Sequence, residues 1–135
     1  MARQDTDRRR TPRPQVLVVA EDAGSLRELW KVWLGSLDFE VIAASTGAQA
    51  VALATKYRPL AIIMDLAMPV MDGLEATRRL KQDARTADVP VVMVTAYDAA
   101  PYRRAAEDVG CAGFLAKPVD PEVLLAELRR VLGGL

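Results

Sequence analysis

The sequence predicts a doubly wound α/β fold, on three observations. Short apolar runs bounded by Pro or Gly recur along the chain, and each reads as a strand buried on both faces. Amphipathic stretches with helical spacing fall between them, in strict strand–helix alternation repeated five times. Such alternation gives a parallel sheet with helices on both faces.

The elements follow in order. Gln15 to Ala20, "QVLVVA", reads as the first strand, with Glu21-Asp22 at its end. A helical stripe of Leu26, Leu29, Trp30, Trp33, Leu34 and Leu37 places the first helix over residues 25–37, its tryptophans read as core and flank packing. Phe39 to Ala43 is the second strand, and Thr46 N-caps a helix through Ala50, Val51 and Ala54 to Tyr57. The third strand is Leu60 to Met64, followed by Asp65; Asp72-Gly73 then open a third helix. Pro90 to Thr95 forms the fourth strand. Pro101 suits the start of the fourth helix, which stops at Gly110. Cys111 to Ala116 is the fifth strand, ending in Lys117-Pro118, and Pro121 begins a last helix with Val123, Leu124, Leu128, Val131 and Leu132 on one side.

Composition bounds the function. The chain has 135 residues, 51% of them hydrophobic and 27% charged, with no formal net charge: one ordinary globular domain. Residues 1–14 carry a net +3, hold two prolines and read as a disordered basic tail; residues 15–135 read as the folded domain. One cysteine, Cys111, excludes an intramolecular disulfide and suits a reducing compartment; within "CAGFLA" it reads as a small core residue. No histidine is present, which excludes His-based acid–base catalysis and His metal ligation. No run is long enough to span a membrane.

Asp65 alone reads equally as a cap or as a functional acid. The other strand ends decide between the two. Glu21 and Asp22 follow strand one, Asp65 strand three, Thr95 strand four and Lys117 strand five. Parallel strands put all these ends on one edge, and the order 2-1-3-4-5 makes strands one and three neighbours at the switch point where such folds bind ligands. Glu21, Asp22 and Asp65 then form an acidic cluster, with Thr95 and Lys117 on its other side. Three carboxylates in one crevice repel unless a cation joins them. Oxygen ligands without His or Cys select a hard cation, and a site with few carboxylates suits Mg²⁺ better than Ca²⁺. A carboxylate beside Mg²⁺ and a lysine can attack phosphorus, with a hydroxyl such as that of Thr95 to bind the phosphoryl group. An ordinary carboxylate is already ionised at neutral pH, so no general base is required.

With its acidic pair, "DLAMPVMDG", "VTA" and "AKP", the chain resembles the receiver domain of two-component response regulators over residues 16–132. The separations also fit: 30 positions from Asp65 to Thr95 and 22 from Thr95 to Lys117. The resemblance implies a flavodoxin-like (βα)5 fold. It implies Asp65 as phosphoacceptor, with a histidine kinase or histidine phosphotransfer protein as donor. Mg²⁺ would be held by Asp22, Asp65 and the backbone carbonyl of Ala67, with Glu21 helping through a water. Lys117 would pair with the phosphoryl group and be joined to Pro118 by a cis peptide. Thr95 and Phe114 would form the switch, and Ala67 and Tyr97 would set the dephosphorylation rate.

The acidic pair here is Glu-Asp rather than Asp-Asp, and Phe114 offers no hydroxyl to a partner. No output domain follows residue 132, which matches the single-domain, chemotaxis-regulator-like type; a receiver excised from a hybrid kinase would look the same. The resemblance thus predicts a cytoplasmic signalling protein rather than an enzyme, a monomer or weak dimer that acts on a downstream protein target and does not bind DNA directly. An aspartyl phosphatase of the haloacid dehalogenase type is disfavoured because Ala67 stands where its second Asp belongs. A flavin carrier lacks its phosphate loop after strand one. A degenerate receiver, acting as a phosphorylation-independent binding module, usually lacks one of the groups that this chain retains.

Overall fold

The structure is a computed structural model that describes residues 15–97 and 100–133; the expected basic tail lies outside the described residues. Five strands and five helices alternate: β1 Gln15–Ala20, α1 Gly24–Gly35, β2 Phe39–Ala44, α2 Gly47–Tyr57, β3 Ala61–Asp65, α3 Gly73–Gln82, β4 Val91–Thr95, α4 Ala100–Asp108, β5 Gly113–Ala116 and α5 Pro121–Leu132. The strands form one parallel sheet in the order β2-β1-β3-β4-β5, as the sequence predicts.

Side chains alternate across each strand, so each face of the sheet has its own core. Val18, Ala20, Ile62, Met64, Val91 and Met93 face α2, α3 and α4, which approach through Ala50, Ala54, Ala76, Leu80 and Ala106. Leu17, Val19, Ile63, Val92 and Val94 face α1 and α5, which contribute the bulkier Trp30, Leu34, Leu124 and Leu128. Helices on the first face seat through small residues. On the second, a buried indole and leucines fill the gap, and Trp33 meets Trp30 edge to face at 6.2 Å.

Local chemistry sets the ends. The Thr46, Asp72 and Asp120 side chains accept from backbone N–H groups in the first turns of α2, α3 and α5. Gly73 is required where it stands: a Cβ there would lie 2.4 Å from the Asp65 carbonyl oxygen, so only glycine lets α3 start this close to the end of β3.

The structure differs from the sequence reading in detail. β5 starts at Gly113 rather than Cys111, because the Cys111 N–H bonds back to Ala106 O at the end of α4. Leu29, Leu37 and Val123 lie 58%, 37% and 50% exposed, at the margins of stripes wider than the buried arc.

Candidate functional site

Register assembles the site. Ala20 pairs with Met64, Asp65 with Val94, and Thr95 with Ala116. Asp65 and Thr95 within those pairs, and Glu21 and Lys117 one step beyond them, arrive together at the carboxyl edge of the sheet. All five predicted polar residues lie there, with Glu21, Asp65 and Thr95 buried and Asp22 exposed.

Carboxylate oxygens of Glu21, Asp22 and Asp65 lie within 4.8 Å of one another. The Lys117 Nζ donates to Glu21 Oε1 at 2.6 Å and to Asp65 Oδ2 at 3.1 Å. The sequence reading placed Lys117 across from the acidic cluster; its ammonium instead sits between two of the acids. Burial acts to lower the Lys117 pKa, but the hydrogen bond to Glu21 and the attraction of Asp65 outweigh it and hold the ammonium above its ordinary value. Its peptide bond to Pro118 is cis. The other Asp65 oxygen, Oδ1, accepts from the Ala67 N–H at 3.2 Å.

The remaining residues line the rim. The Thr95 hydroxyl accepts from the Tyr97 N–H at 3.2 Å. Tyr97 is half exposed and packs on Tyr102 at 5.2 Å between ring centroids, while Ala67 is exposed. Phe114 is half-buried in β5 with the Arg103 guanidinium 4.7 Å above its ring. Val70 stands fully exposed at φ +68°, a left-handed conformation costly for a β-branched residue. Beside Lys117 opens an apolar groove of about 500 Å³ lined by Leu26, Leu29, Trp30, Pro118 and Val119.

Sequence reasoning missed Arg27. Its Nη1 donates to Glu21 O at 2.7 Å and, more weakly, to Asp22 O at 3.4 Å. The only available signal was its place five residues after Asp22, and an arginine on an amphipathic helix ordinarily reads as solvated.

The donor set fits a hard dication: it holds three carboxylates, one of them exposed for entry, and neither imidazole nor thiolate. A charged lysine beside them suits an anionic ligand at this edge.

The sequence model of the response regulator receiver domain family matches residues 16–129. Protein PilH of Pseudomonas aeruginosa is 39% identical over 95 residues, which cover 70% of this chain and 78% of PilH. The DNA-binding dual master transcriptional regulator RpaA of Synechocystis is 34% identical over 88% of this chain, but the match spans only 49% of RpaA. Among solved structures, chemotaxis protein CheY4 of Vibrio cholerae superposes with a TM-score of 0.84 at 32% identity, covering 89% of this chain and all of that one. The receiver domain of sensor histidine kinase PA1611 from Pseudomonas aeruginosa, solved with a magnesium ion coordinated in its active-site cleft, gives 0.83 at 31% identity, over 90% of this chain and 100% of that one.

Proposed function

The chain belongs to the response regulator receiver domain family, and on that premise we propose that Asp65 accepts a phosphoryl group from a histidine kinase or histidine phosphotransfer protein. One observation carries the reading: Glu21, Asp22 and Asp65 converge, with the Lys117 ammonium bridging Glu21 and Asp65, at the edge where buried Thr95 also lies.

Asp22, Asp65 and the Ala67 carbonyl would hold Mg²⁺, with Glu21 reaching it through a water. The magnesium ion in the active-site cleft of the PA1611 receiver supports a Mg²⁺ site in this family member. When bound, the ion neutralises charge on the phosphoryl oxygens. An Asp65 oxygen forms the new P–O bond while the P–N bond of the donor phosphohistidine breaks. The imidazole leaves with the bonding pair and takes up a proton. Lys117 exchanges its contact with Asp65 for one with the phosphoryl group, and the Thr95 hydroxyl donates to another phosphoryl oxygen. The donor docks on the apolar groove beside the site, which Lys117 lines.

Thr95 and Phe114 then act as the switch. As the Thr95 loop closes on the phosphoryl group, the Phe114 ring turns inward and the surface of α4, β5 and α5 changes for a downstream protein. Among the described residues no helix is long and apolar enough to cross a membrane. The proposed role is that of a cytoplasmic signalling domain rather than an enzyme. At Ala67 and Tyr97 a methyl and a bulky ring face the phosphoryl group, neither suited to orient an attacking water. Phospho-Asp65 is therefore long-lived, and Ala67→Asn/Tyr97→Glu should dephosphorylate faster.

The test is uptake of phosphate from a small phosphodonor such as acetyl phosphate. The reading requires Mg²⁺-dependent labelling that is lost in Asp65→Asn. Labelling that persists in Asp65→Asn, or in EDTA, contradicts it.

A further inference from the structure

We propose that Arg27 is a positioning residue for the cation site: its guanidinium clamps the carbonyl oxygens of Glu21 and Asp22 and so aims the Asp22 carboxylate at Asp65. The proposal rests on the receiver reading above and adds a residue to it.

Four observations carry it. First, α1 starts differently from its neighbours: α2, α3 and α5 each begin under a side-chain cap, whereas the residue before α1 is Ala23, which has none. The loop between β1 and α1 must be fixed by other means. Second, Glu21 is held on every side: its N–H bonds to Ala44 O at 2.9 Å, Oε1 meets Lys117, Oε2 accepts from the Ala23 N–H at 3.1 Å, and its carbonyl takes Arg27 at 2.7 Å. Third, the exposed Asp22 has one described bond of its own, the 3.4 Å contact from the same Arg27 nitrogen to its carbonyl. Fourth, Arg27 is half-buried and folds back over the loop, its other terminal nitrogen 3.5 Å from where a Cβ on Gly24 would lie.

The choice of acceptors separates Arg27 from Lys117. Lys117 donates directly to two carboxylate oxygens and so occupies positions a cation would want. Arg27 donates to carbonyl oxygens, which leaves the carboxylate lone pairs free while its charge offsets part of the mutual repulsion of the three acids. It orients the acidic pair without competing for it, as the outer hydrogen-bond partners of metal ligands do.

The two possible roles of Arg27 predict opposite signs. If only its charge mattered, removing it would tighten Mg²⁺ binding, because a positive charge near the site repels the ion. If it positions Asp22, removing it weakens binding. The experiment titrates the full chain with Mg²⁺ alone and follows the amide resonances of Glu21, Asp22 and Ala23. It then measures phosphorylation by acetyl phosphate across Mg²⁺ concentrations. Arg27→Ala and Arg27→Gln should each raise the Mg²⁺ Kd about tenfold, the lower end for such outer partners. The phosphorylation rate at saturating Mg²⁺ should stay within about threefold of wild type. Arg27→Lys, whose ammonium falls short of the Nη1 position, should restore Mg²⁺ affinity only in part. Should Arg27→Ala fail to fold, as judged by circular dichroism, the Gln and Lys variants carry the comparison. Unchanged or tighter Mg²⁺ binding in the neutral variants overturns the proposal, as does full rescue by lysine. A wild-type chain that binds no Mg²⁺ overturns the Mg²⁺-dependent phosphoacceptor reading, and this proposal with it.

Discussion

The two halves of the sheet's carboxyl edge are built differently. On the acceptor side, β3 is buried at all five positions, and α3 buries four residues against the sheet. Glu21 and Asp65 are fixed there by Lys117 and by the backbone N–H groups of Ala23 and Ala67. On the switch side, β5 is half-buried at all four positions, and Ala106 is the one buried residue described in α4. Phe114, the proposed moving part, is half-buried: it packs against the core cluster and carries the Arg103 guanidinium over its ring. Elements with little buried apolar surface open at lower free energy. Under the proposed function, chemistry falls to the more buried half and response to the less buried half, so that a phosphoryl group on Asp65 would shift α4 and β5 without disturbing β1 and β3.

Matched truncations give the largest expected effect. Ile62→Ala in fully buried β3 should cost about 2–5 kcal/mol by urea denaturation, and Leu115→Ala in β5 about 1–2 kcal/mol. Equal costs would break the comparison. Next is Lys117→Ala, which should slow phosphorylation by about 10²–10³ through the loss of a preorganised charge at the transition state. The same variant should bind Mg²⁺ no more weakly than wild type, since a competing cation leaves Glu21 and Asp65; weaker binding would show that the lysine builds the site rather than competing in it.

Cys111 lies in the loop leading into β5, and burial pushes its thiol up to about 11. At neutral pH the thiolate should be about a hundredfold scarcer than for an ordinary thiol, and alkylation should rise about tenfold per pH unit toward that value. The sign follows: an acid held protonated by the fold contributes stability that is complete below the ordinary thiol pKa and is lost as pH rises toward 11. Alkylation that levels off near pH 8.5–9 would show that the region opens freely on the reaction timescale. The smallest effect belongs to Arg103→Ala. Loss of its contact with Phe114 should cost about 0.5–1 kcal/mol, and beryllium fluoride should bind about two- to fivefold more tightly because the ring turns inward more easily. Weaker beryllium fluoride binding would mean that Arg103 supports the active arrangement instead.

The fold was legible because each strand's apolar run and each helix's period carry independent signals. Alternation then left one architecture, and the strand ends fell on one edge. Asp65, Thr95 and Lys117 were legible for the same reason. Periodicity does not report the width of a buried arc, so Leu29 and Val123 were read into stripes whose margins face solvent. Arg27 was illegible because its partners are backbone carbonyls, which have no sequence signature. Lys81 is a similar case: its ammonium donates to the carbonyls of Ala87 and Val89 ahead of β4, a bond set by how the loop returns. Contacts made by side chains of marked type at strand ends can be read in advance, whereas contacts to main-chain atoms need the path of the chain.

The central claim, that phosphorylation of a rigid acidic site is read out by a looser α4–β5 region, is tested most directly by amide hydrogen exchange with and without Mg²⁺ and beryllium fluoride. The account predicts altered exchange concentrated in α4 and β5, with the amides of β1 and β3 unchanged and the whole difference abolished in Asp65→Asn. No difference, or one spread evenly over β1, β3 and β5, would contradict it.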